Sequence, residues 1–146
     1  MKRESKASRA VVVAWMTLNT AEPALAAGVT ELVTRPLAPE GHLLVPGYVD
    51  LSADGRYVAF QWEGSHLVAG DTNNVNDVFV YDRWSKTTDR VSLNSLGVQG
   101  NGRSEYPAIS ADGRFVAFES SASNLVDGDT NSQRDIFVHD RATGST

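Results

Sequence analysis

The chain has 146 residues and 15.7 kDa, 41% of them hydrophobic and 21% charged, with no cysteine. That is one domain's worth of chain with enough apolar content for a core, and it excludes disulfide scaffolds, zinc–thiolate sites, iron–sulfur clusters and thiol catalysis. Thirteen Lys and Arg against eighteen Asp and Glu give a net charge of −5, the wrong sign for neutralising a phosphate backbone, so no nucleic-acid partner is expected.

The N-terminus reads as an address. Lys2, Arg3, Lys6 and Arg9 form a positive head, Ala10–Leu18 is mostly apolar, and Ala24 and Ala26 stand in an A-x-A arrangement. Those three parts in that order predict a secretory signal peptide over residues 1–26. Asn19, Glu22 and Pro23 interrupt the apolar stretch well short of the roughly 20 residues a spanning helix needs. A mature protein starting near Ala27, periplasmic or secreted and not inserted in the membrane, is therefore expected.

Beyond that segment the chain repeats itself. Ser52-Ala53-Asp54-Gly55-Arg56-Tyr57-Val58-Ala59-Phe60 returns as Ser110-Ala111-Asp112-Gly113-Arg114-Phe115-Val116-Ala117-Phe118. Gly70-Asp71-Thr72-Asn73 returns as Gly128-Asp129-Thr130-Asn131, and Asp77–Arg83 returns as Asp135–Arg141. The offset is 58 throughout and needs no gap; residues 52–88 and 110–146 share 21 identities in 37 positions. Weaker matches (Thr30/Thr88, Val33/Val91, Tyr48/Tyr106) extend the repeat backward. The region 27–146 thus divides into units of about 30–87 and 88–145.

Each unit predicts strands separated by turns. Tyr48–Ser52 and Tyr106–Ser110 end at Asp-Gly pairs, a strong hairpin signal because glycine tolerates positive φ. Arg56–Trp62 and Arg114–Ser120 follow as second strands, and Asp77–Arg83 and Asp135–Arg141 as third strands. Thr88–Leu93 is a fourth, with Val29–Thr34 as its counterpart one period earlier. No helical stripe follows residue 27, so the fold class is all-β. Tyr57–Phe60, Val78–Tyr81, Phe115–Phe118 and Ile136–Val138 are apolar at successive positions and predict burial on both faces. Hairpin-linked strands of that kind favour antiparallel sheets stacked face to face, as in a propeller, over a two-layer sandwich.

The pattern Ser-Ala-Asp-Gly-Arg-(Tyr/Phe)-Val-Ala-Phe, followed by Asp-(Val/Ile)-Phe-Val-(Tyr/His)-Asp-Arg, resembles the WD40-like PD40 repeat of TolB-type β-propellers. Ala53 and Ala111 stand where the family usually has proline. The resemblance implies four-stranded blades around a central channel, present here as two repeats of an incomplete propeller. It also implies a periplasmic or secreted setting.

Candidate chemistry concentrates in one loop. Asp127, Asp129, Asn131 and Asp135 place oxygens at alternating positions, as a calcium loop would. Ser132 replaces the glycine and no glutamate closes the loop as in an EF-hand; Ala69 replaces Asp127 in the first repeat. The competing reading is that Asp and Asn stabilise the turn by bonding their own backbone. No catalytic constellation is present: there is no G-x-S-x-G, His42, His66 and His139 lack ligand spacing, and His66 and His139, at ordinary repeat positions, read as surface or rim residues. Asp54, Asp82, Asp112 and Asp140 recur with the repeat and suit turns or strand ends. Trp62 and Trp84 have no counterpart in the second repeat, marking either inter-blade packing or a binding surface.

The expected function is a non-catalytic binding or scaffold module of the bacterial envelope, with a protein or carbohydrate ligand. The alternatives are the propeller portion of a prolyl-oligopeptidase-type hydrolase whose catalytic domain lies outside this chain, and a truncated gene product. Two repeats are too few to close a ring of four to eight blades. The second repeat ends after its third strand, while Val29–Thr34 is a spare fourth. Head-to-tail homo-oligomerisation by strand exchange, as a trimer or a larger assembly, or else aggregation, is therefore expected.

Overall fold

The structure is a computed structural model; it describes residues 47–146 and two short strands, β1 (Trp15–Met16) and β2 (Val29–Thr30). Two compact units divide the chain, Met1–Arg35 and Pro36–Thr146. In the first, β1 and β2 pair antiparallel, Trp15 opposite Thr30 and Met16 opposite Val29. Val29–Thr30, expected as a spare strand, has a partner within its own unit. The rest of the expected signal peptide, His42 and the remainder of the expected strand Val29–Thr34 lie outside the described residues.

The second unit is all-β, with no helix among the described residues. Its first sheet contains β3 (Val49–Leu51), β4 (Tyr57–Glu63), β5 (Asn76–Asp82) and β6 (Thr87–Arg90), hydrogen-bonded in sequence order. Its second sheet contains β7 (Ser104–Ile109), β8 (Phe115–Ser120) and β9 (Asp135–Asp140), again in order and antiparallel. The predicted second and third strands match β4, β5, β8 and β9 within a residue or two. The predicted first strand of the second repeat begins two residues early, at Ser104. A bulge between Glu105 and Ala108 accounts for this: Tyr106 takes φ 55° and Pro107, unable to donate to a ladder, sits within it.

The repeat is visible atom by atom. Gly55 and Gly113 close the two Asp-Gly turns at φ 66° and 73°, where a Cβ would be strained. Asp54 accepts bonds from the Ser52 hydroxyl and the Arg56 amide, and Asp112 does the same with Ser110 and Arg114. Arg56 then forks onto Asp82 across the hairpin, and Arg114 onto Asp140, at 2.7 Å in both sheets. Arg83 donates to the Gly55 carbonyl at 2.9 Å and Arg141 to that of Gly113 at 2.6 Å. The recurrent aspartates therefore serve turns and strand ends. The arginine partners of Asp82 and Asp140 lie 26 residues away in sequence and meet them only across the paired strands.

The sheets stack face to face. Ala59, Val78 and Val80 of the first pack against Val116, Phe118 and Phe137 of the second, with Val91, Ala122 and Leu125 completing the core. Tyr57 extends the contact, its ring lying where any side chain at Gly113 would have to go, with the Arg141 guanidinium 4.2 Å from its centroid. The opposite face of the first sheet, with Val58, Phe60, Trp62, Phe79 and Tyr81, is also buried. Phe60 stacks on Phe79 at 5.8 Å and 27°, and their counterparts Phe118 and Phe137 stack at 6.0 Å and 29°.

One expectation fails. Burial on both faces holds for the first sheet but not the second, where Ile136 is 70% exposed, Val138 51% and Phe115 40%. Their counterparts Val78 and Val80 are fully buried. The residue types recur, but among the described residues no third sheet lies on that face. Trp62 and Trp84 also part company: Trp62 is buried, while Trp84 is 63% exposed beneath the Arg56 guanidinium, 4.4 Å from its ring centroid.

Candidate functional site

The loops between the second and third strands are conformational twins. Gly70 and Gly128 have φ 80° and 83°, and Asn74 and Ser132 have φ 54° and 55°. In each, an asparagine folds back on the loop. The Asn73 amide nitrogen donates to Asp77 at 3.1 Å while its Oδ1 accepts from the Val75 amide. The Asn131 nitrogen donates to Asp135 at 2.9 Å while its Oδ1 accepts from the Gln133 amide at 2.7 Å. This is the turn-stabilising use of Asx side chains.

The surroundings of the twins differ. In the first repeat the loop is covered by the chain after β6. Asp77 is fully buried and Asp71 5% exposed. Ser92 donates its hydroxyl to Asp77 Oδ1, and Gln99 Nε2 lies 3.1 Å from both Asp71 Oδ1 and Asp77 Oδ2. The Arg90 guanidinium stands 3.5 Å from Asp71 and 3.7 Å from Asp77, and donates to the Gly70 carbonyl at 3.2 Å. Burial nonetheless pushes the Asp77 carboxyl above its usual range, against the opposing effect of its hydrogen bonds and Arg90.

In the second repeat the same loop is open. Asp127, Asp129, Asn131 and Asp135 line a groove of about 470 Å³ with Gly128, Thr130, Val126, Ile136, Phe137, Val138 and Thr146. The structure thus brings the four residues singled out from the sequence to one groove. The Asn131 amide nitrogen, not its oxygen, faces Asp135. Among the described residues no group of three or more His, Cys, Asp or Glu is placed to hold a metal ion. What the arrangement offers is a carboxylate-rich pocket beside a strand edge.

Two exposed tyrosines escaped the sequence reading. Tyr48 and Tyr106 pack edge to face at 4.5 Å while remaining 62% and 45% exposed. Their shared repeat position was the available signal. Their meeting depends on the stacking of β3 beside β7, where the Ile109 amide donates to Asp50 at 2.8 Å and the Tyr106 amide to Gln61, also at 2.8 Å.

The histidines separate as well. His66 is exposed as expected, whereas His139 is 6% exposed because it lies on the inward face at the position of Tyr81. Its Nδ1 is 2.7 Å from the Thr146 hydroxyl. Burial first, and the neighbouring Arg141 charge second, hold the imidazole below its usual pKa of 6.5. A lowered folded pKa means that the unfolded chain binds the proton more tightly. The stability His139 contributes is then present above pH 6.5 and lost as pH falls from there through the folded value. His139→Tyr, which installs the residue of the first repeat, is expected to flatten the melting temperature between pH 7 and pH 5. An unchanged slope in a thermal-shift series across that range would refute the assignment.

No protein-family model matches this chain, and no curated protein matches it in sequence.

Proposed function

We propose that this chain is an exported, non-catalytic binding and scaffold module of the bacterial envelope, built from consecutive blades of a TolB-like, WD40-like PD40 propeller. The address-like N-terminus supports export, and the repeat sequence supports the blade reading. The observation that carries the function is the open outer face of the second sheet. Phe115, Ile136 and Val138 are exposed there, at the positions where Tyr57, Val78 and Val80 of the first sheet receive a neighbour. A contiguous apolar sheet face of that kind marks a protein contact, and the occupant that fits is a second copy of the chain, stacked as the second sheet stacks on the first.

Light scattering after size exclusion tests this. Protein recovered from the periplasmic or culture fraction, with its N-terminus near Ala27, is expected to run as a trimer or larger assembly. Phe115→Asp or Ile136→Asp should reduce it to a monomer without loss of β structure, because a carboxylate stranded in an apolar contact costs several kcal/mol. A monodisperse monomer at high concentration, or a product retaining Met1 in the cytoplasm, would overturn the reading.

A further inference from the structure

Two buried side chains at the first loop are left unsatisfied by the groups around them. Asp71 Oδ1 accepts from Gln99 Nε2 at 3.1 Å, but among the described residues Asp71 Oδ2 has no donor, although the side chain is only 1% exposed. Arg90, its side chain 10% exposed, donates from Nη2 to the Gly70 carbonyl at 3.2 Å and has no acceptor for Nε or Nη1. The charges also stand off from one another. Arg90 Nη1 is 3.5 Å from Asp71 Oδ1 and 3.7 Å from Asp77 Oδ2, against 2.7 Å in the Arg56–Asp82 and Arg114–Asp140 pairs. Asp77 is already engaged: its Oδ1 holds the Ser92 hydroxyl, and its Oδ2 holds the Asn73 and Gln99 amides. A polar atom buried without a partner forfeits its hydration outright, and native interiors rarely leave three such atoms side by side.

We propose that this site binds an ordered internal water, which accepts a hydrogen bond from Arg90 and donates one to Asp71 Oδ2. The unsatisfied atoms are of both kinds, one acceptor and two donors. A metal cation would suit Asp71 Oδ2 but meet the Arg90 guanidinium, and an anion would suit Arg90 but face two carboxylates. A neutral molecule that both donates and accepts answers both, and a site this enclosed admits only a small one. Reach agrees with chemistry. Oδ2 shares its carboxyl carbon with Oδ1, itself 3.5 Å from Arg90 Nη1, and one water links a donor and an acceptor up to roughly 6 Å apart. The water thereby helps fasten the chain from the end of β6 onward to the first loop, because Arg90, Ser92 and Gln99 all reach that loop from there.

Oxygen-17 relaxation dispersion of the full chain, which counts the waters that tumble with a protein, tests this in solution. Asp71→Glu lengthens the side chain by one methylene and carries a carboxylate oxygen toward the guanidinium, into the place of the water. The parent is therefore expected to hold one long-lived water more than Asp71→Glu. Asp129→Glu, the same change at the counterpart on the open second loop, should leave the count unaltered. Equal counts in the parent and Asp71→Glu overturn the proposal. If Asp71→Glu does not fold, a crystal structure of the unaltered chain decides. A water oxygen within about 2.7–3.2 Å of both an Arg90 nitrogen and Asp71 Oδ2 supports the proposal. A dry site, a direct bond between the guanidinium and Asp71 Oδ2, or a metal ion between Asp71 and Asp77 overturns it.

Discussion

Replacing Phe118 by alanine is expected to destabilise the two-sheet unit by about 3–5 kcal/mol, a large share of the roughly 5–15 kcal/mol a domain typically possesses. Phe118 is 1% exposed, stacks on Phe137 and lies at the junction of the two sheets. Truncation removes its transfer free energy and leaves a cavity that Val116 and Leu125 cannot fill without moving their strand and loop. The internal control is Ile136→Ala, a position whose counterpart Val78 is fully buried but which is itself 70% exposed. In dilute monomeric protein that change should alter stability by less than about 0.5 kcal/mol. Urea denaturation followed by tryptophan fluorescence measures both. Equal losses at the two positions would mean that the outer face is covered within the chain, against the arrangement described here.

Asp77→Ala is expected to cost a comparable amount, about 3–5 kcal/mol, for an electrostatic reason. Its carboxylate is fully buried and answers Arg90, whose side chain is only 10% exposed and already has Nε and Nη1 without a hydrogen-bond acceptor. Removing Asp77 leaves that guanidinium with Asp71 as its one neighbouring carboxylate and takes away the acceptor of the Ser92 hydroxyl, while the Asn73 and Gln99 amides each lose one of two acceptors and keep the Gly100 carbonyl and Asp71. Asp77→Asn should recover part of the loss by preserving a hydrogen-bonding partner. The counterpart Asp135→Ala opens only a solvated loop and should change stability by less than about 1 kcal/mol. Paired denaturation curves decide the matter. An Asp77→Ala protein as stable as its parent would show that the cluster contributes nothing net, its desolvation cost matching its attraction.

These two contrasts separate what sequence determines from what it does not. The period of 58, the Asp-Gly turns and the β-branched and aromatic strands were legible from residue types alone. Turn geometry and strand pleat are local demands, met by glycine at positive φ and by Val, Phe and Tyr on a pleated surface. The four residues of the candidate loop were legible for the same reason. Identical repeats, however, read identically. Nothing in Val78 against Ile136, or in Asp77 against Asp135, indicates that the first of each pair is buried and the second open. That difference arises only when one sheet stacks on the other and the chain after β6 closes over the first loop. The same stacking buries His139 and brings Tyr48 to Tyr106, while the pairing of β6 along β5 supplies Arg90 to two aspartates 13 and 19 residues away in sequence. Local chemistry wrote the elements; long-range packing, which depends on what lies next to each face, decided which copy of each residue is core and which is surface.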